Sequence, residues 1–445
     1  MTETLAADAV WTCPFCPLAC DHLGVRSDGG GLQLIGGDCA RASRGLARLA
    51  ATADSATAEV DGRACGLDDA IAVAATRLAA SRQLLFAGLG CDLAGARALY
   101  PLACATGAIC DAAGGDALMQ GLRALQDRGQ FTTTLAEVRT RADLIVFVGG
   151  IPSRLAPLIA QRCGIGDPQV AQRHVVVIGP QPGDEDLLAA WAGLGVTTES
   201  VLLSGDLFTT LSLLLARVAR RPMARANQGA AAVPDPIPAG LTDLADRLLA
   251  ARYGVWVGAP AGLPAEAGLA IETVHQIIGE INRSTRAAAL WIGGGDGAAT
   301  ANQVFAWLSG LPLRTRAGPR GLEHEPLAFQ ARRLIDGGAV DAVLWVSAFG
   351  ADEPPPDLVA AASLPLVLLG PPASKTWVRR PGTVFIPVTT PGIGAGGHLF
   401  RTDGTVLMPL HAVRDDGLPT VDAVVRRIHS AIVASRPAGS REPDR

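Results

Sequence analysis

Lysine is almost missing from this chain: among its 38 basic residues Lys375 is the only one that is not arginine. A Gly-rich phosphate loop ending in lysine is therefore absent and a Schiff-base enzyme would have one residue to work with, which sets aside ATP hydrolysis and pyridoxal chemistry. Charge of one sign is lacking too. The 38 basic and 42 acidic residues are interspersed along the chain for a net charge of -4, without the one-sided basic field of a nucleic-acid binder. No stretch reaches the roughly 18 uninterrupted apolar residues of a membrane span, and Met1-Thr2-Glu3-Thr4 opens without the basic patch and apolar core of a signal peptide. The expected location is the cytoplasm, with neither membrane nor nucleic acid as a partner. The seven histidines, His22, His174, His275, His324, His398, His411 and His429, form no His-x-His or His-Glu-x-x-His pair, so a zinc hydrolase site within this chain is not expected.

What is present in quantity is apolar surface and glycine: 49% hydrophobic residues and 52 glycines in 445, enough for two or three domains around a large core. Short aliphatic runs ending at or near glycine read as buried parallel strands at Leu84–Gly88, Leu144–Gly150, His174–Gly179, Tyr253–Gly258, Ala288–Gly293, Ala342–Val346, Leu364–Gly370 and Val384–Val388. Helical periodicity falls between them at Leu67–Ala80, Leu93–Ala103, Leu241–Arg252 and Ala299–Ser309. This alternation predicts an α/β protein of several Rossmann-like layers behind a small N-terminal cysteine segment. The expected division is a cysteine segment over 1–60, a first α/β domain over 61–220, a Pro- and Ala-rich linker or crossover over 221–240, a second α/β domain over 241–388, and a Gly-rich loop, hairpin and tail over 389–445. The hairpin, turning at Asp403-Gly404, is expected to close the sheet, and the tail after Arg436 to fray.

Four of the nine cysteines stand together as Cys13-x2-Cys16-x3-Cys20 with Cys39 following, and that clustering points to metal binding more than to disulfides. Zinc ribbons generally use two matched Cys-x2-Cys knuckles, whereas this uneven spacing resembles the cubane-cluster domain of molybdopterin oxidoreductases. Two readings stay open: a four-iron cluster on Cys13, Cys16, Cys20 and Cys39, or a loop kept for packing after its redox partner was lost. Cys65, Cys91, Cys104, Cys110 and Cys163 read as ordinary small core residues.

The run from Trp11 to His22, WTCPFCPLACDH, resembles the start of the B subunit of formylmethanofuran dehydrogenases, the one that carries the molybdenum or tungsten pterin. Gly107–Asp111, Ala124-Leu125-Gln126-Asp127, Arg141–Val146, Ala301-Asn302-Gln303-Val304-Phe305, Pro391-Gly392-Ile393 and Arg401-Thr402-Asp403-Gly404 follow in family order, over nearly the full length. In that family a cysteine or selenocysteine followed by histidine ligates the metal just before the Leu125-Gln126-Asp127 segment. Counting back, this chain has Ala117 at the ligand position and Leu118 at the histidine position. A methyl group cannot coordinate tungsten and a leucine cannot move a proton. Asp116 beside them reads as a turn residue. Where the family carries arginine and histidine near the pterin, the chain has Gly293-Gly294-Gly295-Asp296-Gly297, read, like Gly88-Leu89-Gly90, as a strand-to-helix turn.

Retained scaffold with erased ligands resembles the bacterial branch of the family, the B subunit of the formyltransferase/hydrolase complex. The resemblance implies a non-redox scaffold in one-carbon metabolism, with a zinc amidohydrolase-like A subunit, a C subunit and a formyltransferase D subunit as partners. That complex takes formyl-tetrahydromethanopterin to formate through a furan-type carrier. Molybdopterin or tungstopterin is then expected to be absent. The alternative is an active molybdenum or tungsten enzyme with Cys104 or Cys110 as the metal thiolate. Glu323-His324-Glu325 is the densest acid/base triplet, and with Arg314, Arg316 and Arg320 it is expected to face solvent or a partner chain.

Overall fold

The computed structural model describes residues 11–28, 31–50, 57–220, 238–264, 266–350, 353–378 and 380–436. Most of the expected 221–240 linker and the tail after Arg436 lie outside the described residues. The chain divides into two compact units, one formed by 1–115 with 294–445 and the other by 116–293. This corrects the expected boundary at 221–240. The first unit is built from both ends of the chain because its central strands pair across that distance.

The first unit opens with a ribbon of β1 (Gly24–Asp28) and β2 (Gly31–Ile35), followed by α1 (Ala40–Ala50), the short strands β3 (Ala58–Val60) and β4 (Arg63–Cys65), and α2 (Leu67–Ala80). Then come β5 (Leu84–Gly90), α3 (Leu93–Thr106) and β6 (Ile109–Ala112), after which α4 (Gly115–Arg128) begins at the division. The second unit holds α5 (Leu135–Arg141), β7 (Leu144–Val148), α6 (Ile159–Cys163), β8 (His174–Ile178), α7 (Asp184–Gly193), β9 (Thr197–Val201), α8 (Leu207–Val218), α9 (Ala239–Ala250), β10 (Gly254–Gly258), α10 (Ala267–Ile281) and β11 (Ala287–Trp291). The chain then returns to the first unit with α11 (Ala298–Ser309), β12 (Thr315–Gly318), β13 (Gly321–His324), α12 (Ala331–Asp336), β14 (Ala342–Ser347), α13 (Pro356–Ala360), β15 (Leu366–Gly370), β16 (Thr383–Pro387), the hairpin β17 (Gly397–Phe400) and β18 (Leu407–Leu410), and α14 (Val421–Ser435). Among the described residues no helix is long and apolar enough to cross a membrane.

The nine-stranded sheet of the first unit runs β13-β12-β6-β5-β14-β15-β16-β3-β4, with the five central strands β6 to β16 parallel and the edge pairs antiparallel. Apart from β6, those central strands are the aliphatic runs read from sequence, buried on both faces by helices, with Phe86, Trp345 and Phe385 at 0–1% exposure. Each such side chain contributes roughly 1.5–3 kcal/mol by leaving water. The second sheet, β11-β10-β7-β8-β9, is parallel throughout, and Phe147 and Trp256 at its centre are fully buried. Helix starts follow the usual capping chemistry: Asp92 accepts from the Gly95 N–H at 3.0 Å and Asp206 from the Thr209 N–H at 2.6 Å.

Two further expectations need correction. The β17-β18 hairpin is a separate two-stranded ribbon and does not close the large sheet. Gly88-Leu89-Gly90 is not a turn, since β5 continues to Gly90.

Candidate functional site

The cysteine loop is docked deeply in the first unit. Every residue from Trp11 to Cys20 is buried, and the loop closes on itself through the Cys13 N–H to the Cys20 carbonyl (2.8 Å) and the Ala19 N–H to the Cys16 carbonyl (3.1 Å). Cys39 sits one residue before α1 and its carbonyl accepts from Ser43 (2.9 Å), bringing the fourth cysteine to the loop. Segments that carry the family resemblance hold it from the other side. The Trp11 indole donates to the Gly392 carbonyl (2.8 Å), the Thr402 N–H to the Pro17 carbonyl (2.9 Å), and Arg401 grips Asp403 at 2.6 Å beneath that turn. Arg41 of α1 donates through Nε to the Phe15 carbonyl and faces Asp296 at 3.5 Å. Asp296 is surrounded by protein while 45% of its side chain stays open to solvent. Burial raises its pKa and the Arg41 and Arg48 guanidiniums oppose the rise.

All nine cysteines are free thiols. Burial pushes Cys13 well above the usual thiol range, and Cys16, Cys20 and Cys39 add to the rise by proximity. Burial likewise pushes Cys16 up to about 11, against the pull of the Leu18 backbone N–H and Arg41. The quartet is thus a set of neighbouring, buried thiols. Among the described residues no group of three or more His, Cys, Asp or Glu side chains is arranged to hold a metal ion. The donors are right for an iron-sulfur cluster, but the loop as folded does not bring them round a common centre.

The residues that the resemblance sets at the metal-ligand position lie at the start of α4. Ala117 and Leu118 are half-buried helix residues without a donor atom, and Asp116 is exposed in the first turn. The aspartate that ends the Gly107–Asp111 segment turns into structure instead: Asp111 and Arg314, each about 2% exposed, pair at 3.2 Å, and the other carboxylate oxygen accepts from the Ala331 N–H at 2.8 Å. Arg314 is therefore internal, which corrects the expected surface cluster. Arg316 is tied down too, by Glu323 (2.8 Å), Gln83 (2.8 Å) and the Phe329 ring (5.3 Å). Arg320 does face solvent, at 90% exposure, with Glu323 at 3.9 Å. His324 Nδ1 lies 3.1 Å from the Arg314 carbonyl, so the Glu323-His324-Glu325 triplet is a strand and turn that packs the arginines.

Cys110, the alternative metal thiolate, is 1% exposed in β6, and burial pushes its pKa far up, with Cys104 and Asp111 adding to it. A thiol so disposed is a core residue, not an open ligand.

The glycine run at 294–297 forms the turn into α11, as read from sequence, and it also covers the sheet. The parallel strands β6-β5-β14-β15-β16 reverse their order between β5 and β14, where open α/β sheets leave a ligand crevice at the strand ends. Here Gly297, at φ +84°, presses on Cys91 so closely that a Cβ would fall 2.3 Å from the Cys91 carbonyl, and Gly90 meets the Asp296 carbonyl in the same way at 3.1 Å. The chain's own backbone fills that crevice. The pterin site that the family's redox members carry does not fit these residues: Ala117 and Leu118 offer no donor atom, and the turn at Gly297 covers the end of β5.

Sequence reasoning located the quartet but missed Arg41, Arg314 and Asp111 as the groups that fix the surrounding loops. Only the last two family segments, Pro391-Gly392-Ile393 and Arg401-Thr402-Asp403-Gly404, carried a trace of that docking.

No family model matches the chain. It is 32% identical over 347 residues to the B subunit of the formyltransferase/hydrolase complex Fhc of Methylorubrum extorquens, covering 77% of this chain and 87% of that protein. At greater distance, 24% identical over 296 residues and 64% of each chain, it is similar to the B subunit of the tungsten-containing formylmethanofuran dehydrogenase 2 of Methanocaldococcus jannaschii. A chain in the crystal structure of the formyltransferase/hydrolase complex FhcABCD from Methylorubrum extorquens, in complex with methylofuran, matches with a TM-score of 0.71 at 28% identity, over 85% of this chain and 99% of that one.

Proposed function

The chain belongs to the family of B subunits of the formyltransferase/hydrolase complex, and from that premise we propose that it is the non-redox scaffold of such a complex. The observation that carries the reading is the pair Ala117 and Leu118: a chain that keeps the family segments has no donor atom at the metal position. Its partners are the sister subunits of the complex, amidohydrolase-like A, C and formyltransferase D, in the cytoplasm. They move a formyl group from formyl-tetrahydromethanopterin to a furan-type carrier and hydrolyse the carrier's formamide to formate. Within this chain the family segments at Pro391-Gly392-Ile393 and Arg401-Thr402-Asp403-Gly404 hold the N-terminal loop in place. A four-iron cluster on Cys13, Cys16, Cys20 and Cys39 would supply stiffness to that loop.

Elemental analysis of the anaerobically purified, co-expressed complex tests this. Zinc without molybdenum or tungsten is expected, and either of the latter at one per chain overturns the scaffold reading. About four irons per chain would assign the quartet to a cluster, and none would assign it to packing.

A further inference from the structure

The second unit has a crevice of its own. From β7 the chain runs first to β8 and β9 on one side, then to β10 and β11 on the other, so strand order reverses between β7 and β10. Ligands of open parallel sheets enter outside the C-terminal strand ends at such a reversal. A cavity of about 460 Å³ lies there, lined by the Gly149-Gly150 turn after β7, by Gln181 and Asp184 after β8, and by Gly262 after β10.

A phosphate in this place would be caught by the backbone N–H groups of the glycine turn and by the N-terminus of the following helix. The N–H groups beside the glycine turn and before the helix are already engaged. Asp184, 3% exposed, accepts with Oδ2 from the Ile151 N–H at 3.1 Å and the Gln181 N–H at 2.8 Å, joining the loops after β7 and β8. Gly150, at φ +98°, lets that carboxylate approach, since a Cβ there would stand 3.0 Å from Oδ2. Asp184 is also the first residue of α7 and is followed by Glu185 and Asp186. Three carboxylates occupy the positive end of the helix, which carries about half a charge. Arg154 is the sole cation lining the cavity among the described residues.

We propose that Asp184 is a built-in substitute for a ligand phosphate, a specificity-determining residue that closes this cleft to phosphate-bearing ligands. The inference rests on the scaffold reading and deepens it: a chain without redox chemistry holds its own carboxylate where a ligand phosphate would sit.

The test is calorimetric titration of the full-length chain with inorganic pyrophosphate and, separately, ADP. Wild type is expected to show no saturable binding at millimolar ligand. Asp184→Ser, which frees two N–H donors and removes a charge, is expected to gain affinity for pyrophosphate by at least about tenfold. Asp184→Asn, which keeps an acceptor oxygen for those N–H groups, is expected to gain less, and it decides the matter if Asp184→Ser does not fold. Saturable binding by wild type at this cleft, or no gain in a folded variant, overturns the proposal and leaves the scaffold reading standing. Molybdenum or tungsten in the purified complex overturns the scaffold reading whatever the titration gives.

Discussion

Replacing Asp111 by alanine should unsettle the first unit more than any other single change near the erased metal position. The substitution removes the partner of Arg314 and leaves a guanidinium that is 2% exposed without its counter-charge. It also strips the Ala331 N–H of its acceptor. Breaking a buried pair from one side costs about 3–5 kcal/mol. For a folding unit of roughly 270 residues the unfolding entropy is about 0.6 kcal/mol per degree, so the midpoint should fall by about 5–9 °C. Thermal unfolding followed by circular dichroism reads this directly. The double variant Asp111→Leu with Arg314→Met removes both charges and should recover most of the loss, because two well-packed apolar side chains need no partner. A single variant that melts within about 2 °C of wild type, or a double variant no better than the single, would refute the claim that the pair is a closed structural element.

Cys110→Ser should leave formate release by the assembled complex within about tenfold, roughly 1.4 kcal/mol of barrier, because the thiol is core packing; a larger loss with intact assembly would restore the metal-thiolate alternative. Acid should weaken the second unit through His275. Burial lowers its pKa from 6.5 to about 4, with the Phe131 N–H donating to Nδ1 and the Trp291 indole N–H facing Nε2. A histidine depressed in this way costs nothing above pH 6.5, and stability is lost as pH falls from there towards 4, by about 3 kcal/mol in total. Urea titrations of wild type and His275→Gln across that window should show the slope in wild type only, and parallel slopes would sink the assignment.

Most central strands were legible because they are aliphatic runs buried on both faces, several ended by glycine, as in Leu144–Val148 or Leu366–Gly370. Edge strands were not. Thr315–Gly318 contains Arg316, and Gly321–His324 is half polar, so neither shows an apolar period. The interleaving of the units was hidden for another reason: the pairing of Leu84–Gly90 with Ala342–Ser347 joins residues some 250 apart, and no local pattern announces it. At the site, the quartet could be read from residue types alone, whereas Ala117 and Leu118 stood out only through the family resemblance. Asp184 could not, since an acidic triplet after Pro182-Gly183 reads as an ordinary helix start until the strand order places it at a reversal.

The N-terminal loop is held by contacts from the far end of the chain, the Trp11 indole reaching Gly392 across 381 positions. During synthesis at about 5–20 residues per second, roughly 20–80 s pass between the emergence of Cys13 and that of its clamp. The inserted second unit has all its own strands by then and can fold first. For that interval four thiols that the finished fold buries stand without their clamp, so the pace of synthesis, and not the finished fold, sets how long they stay open to reaction.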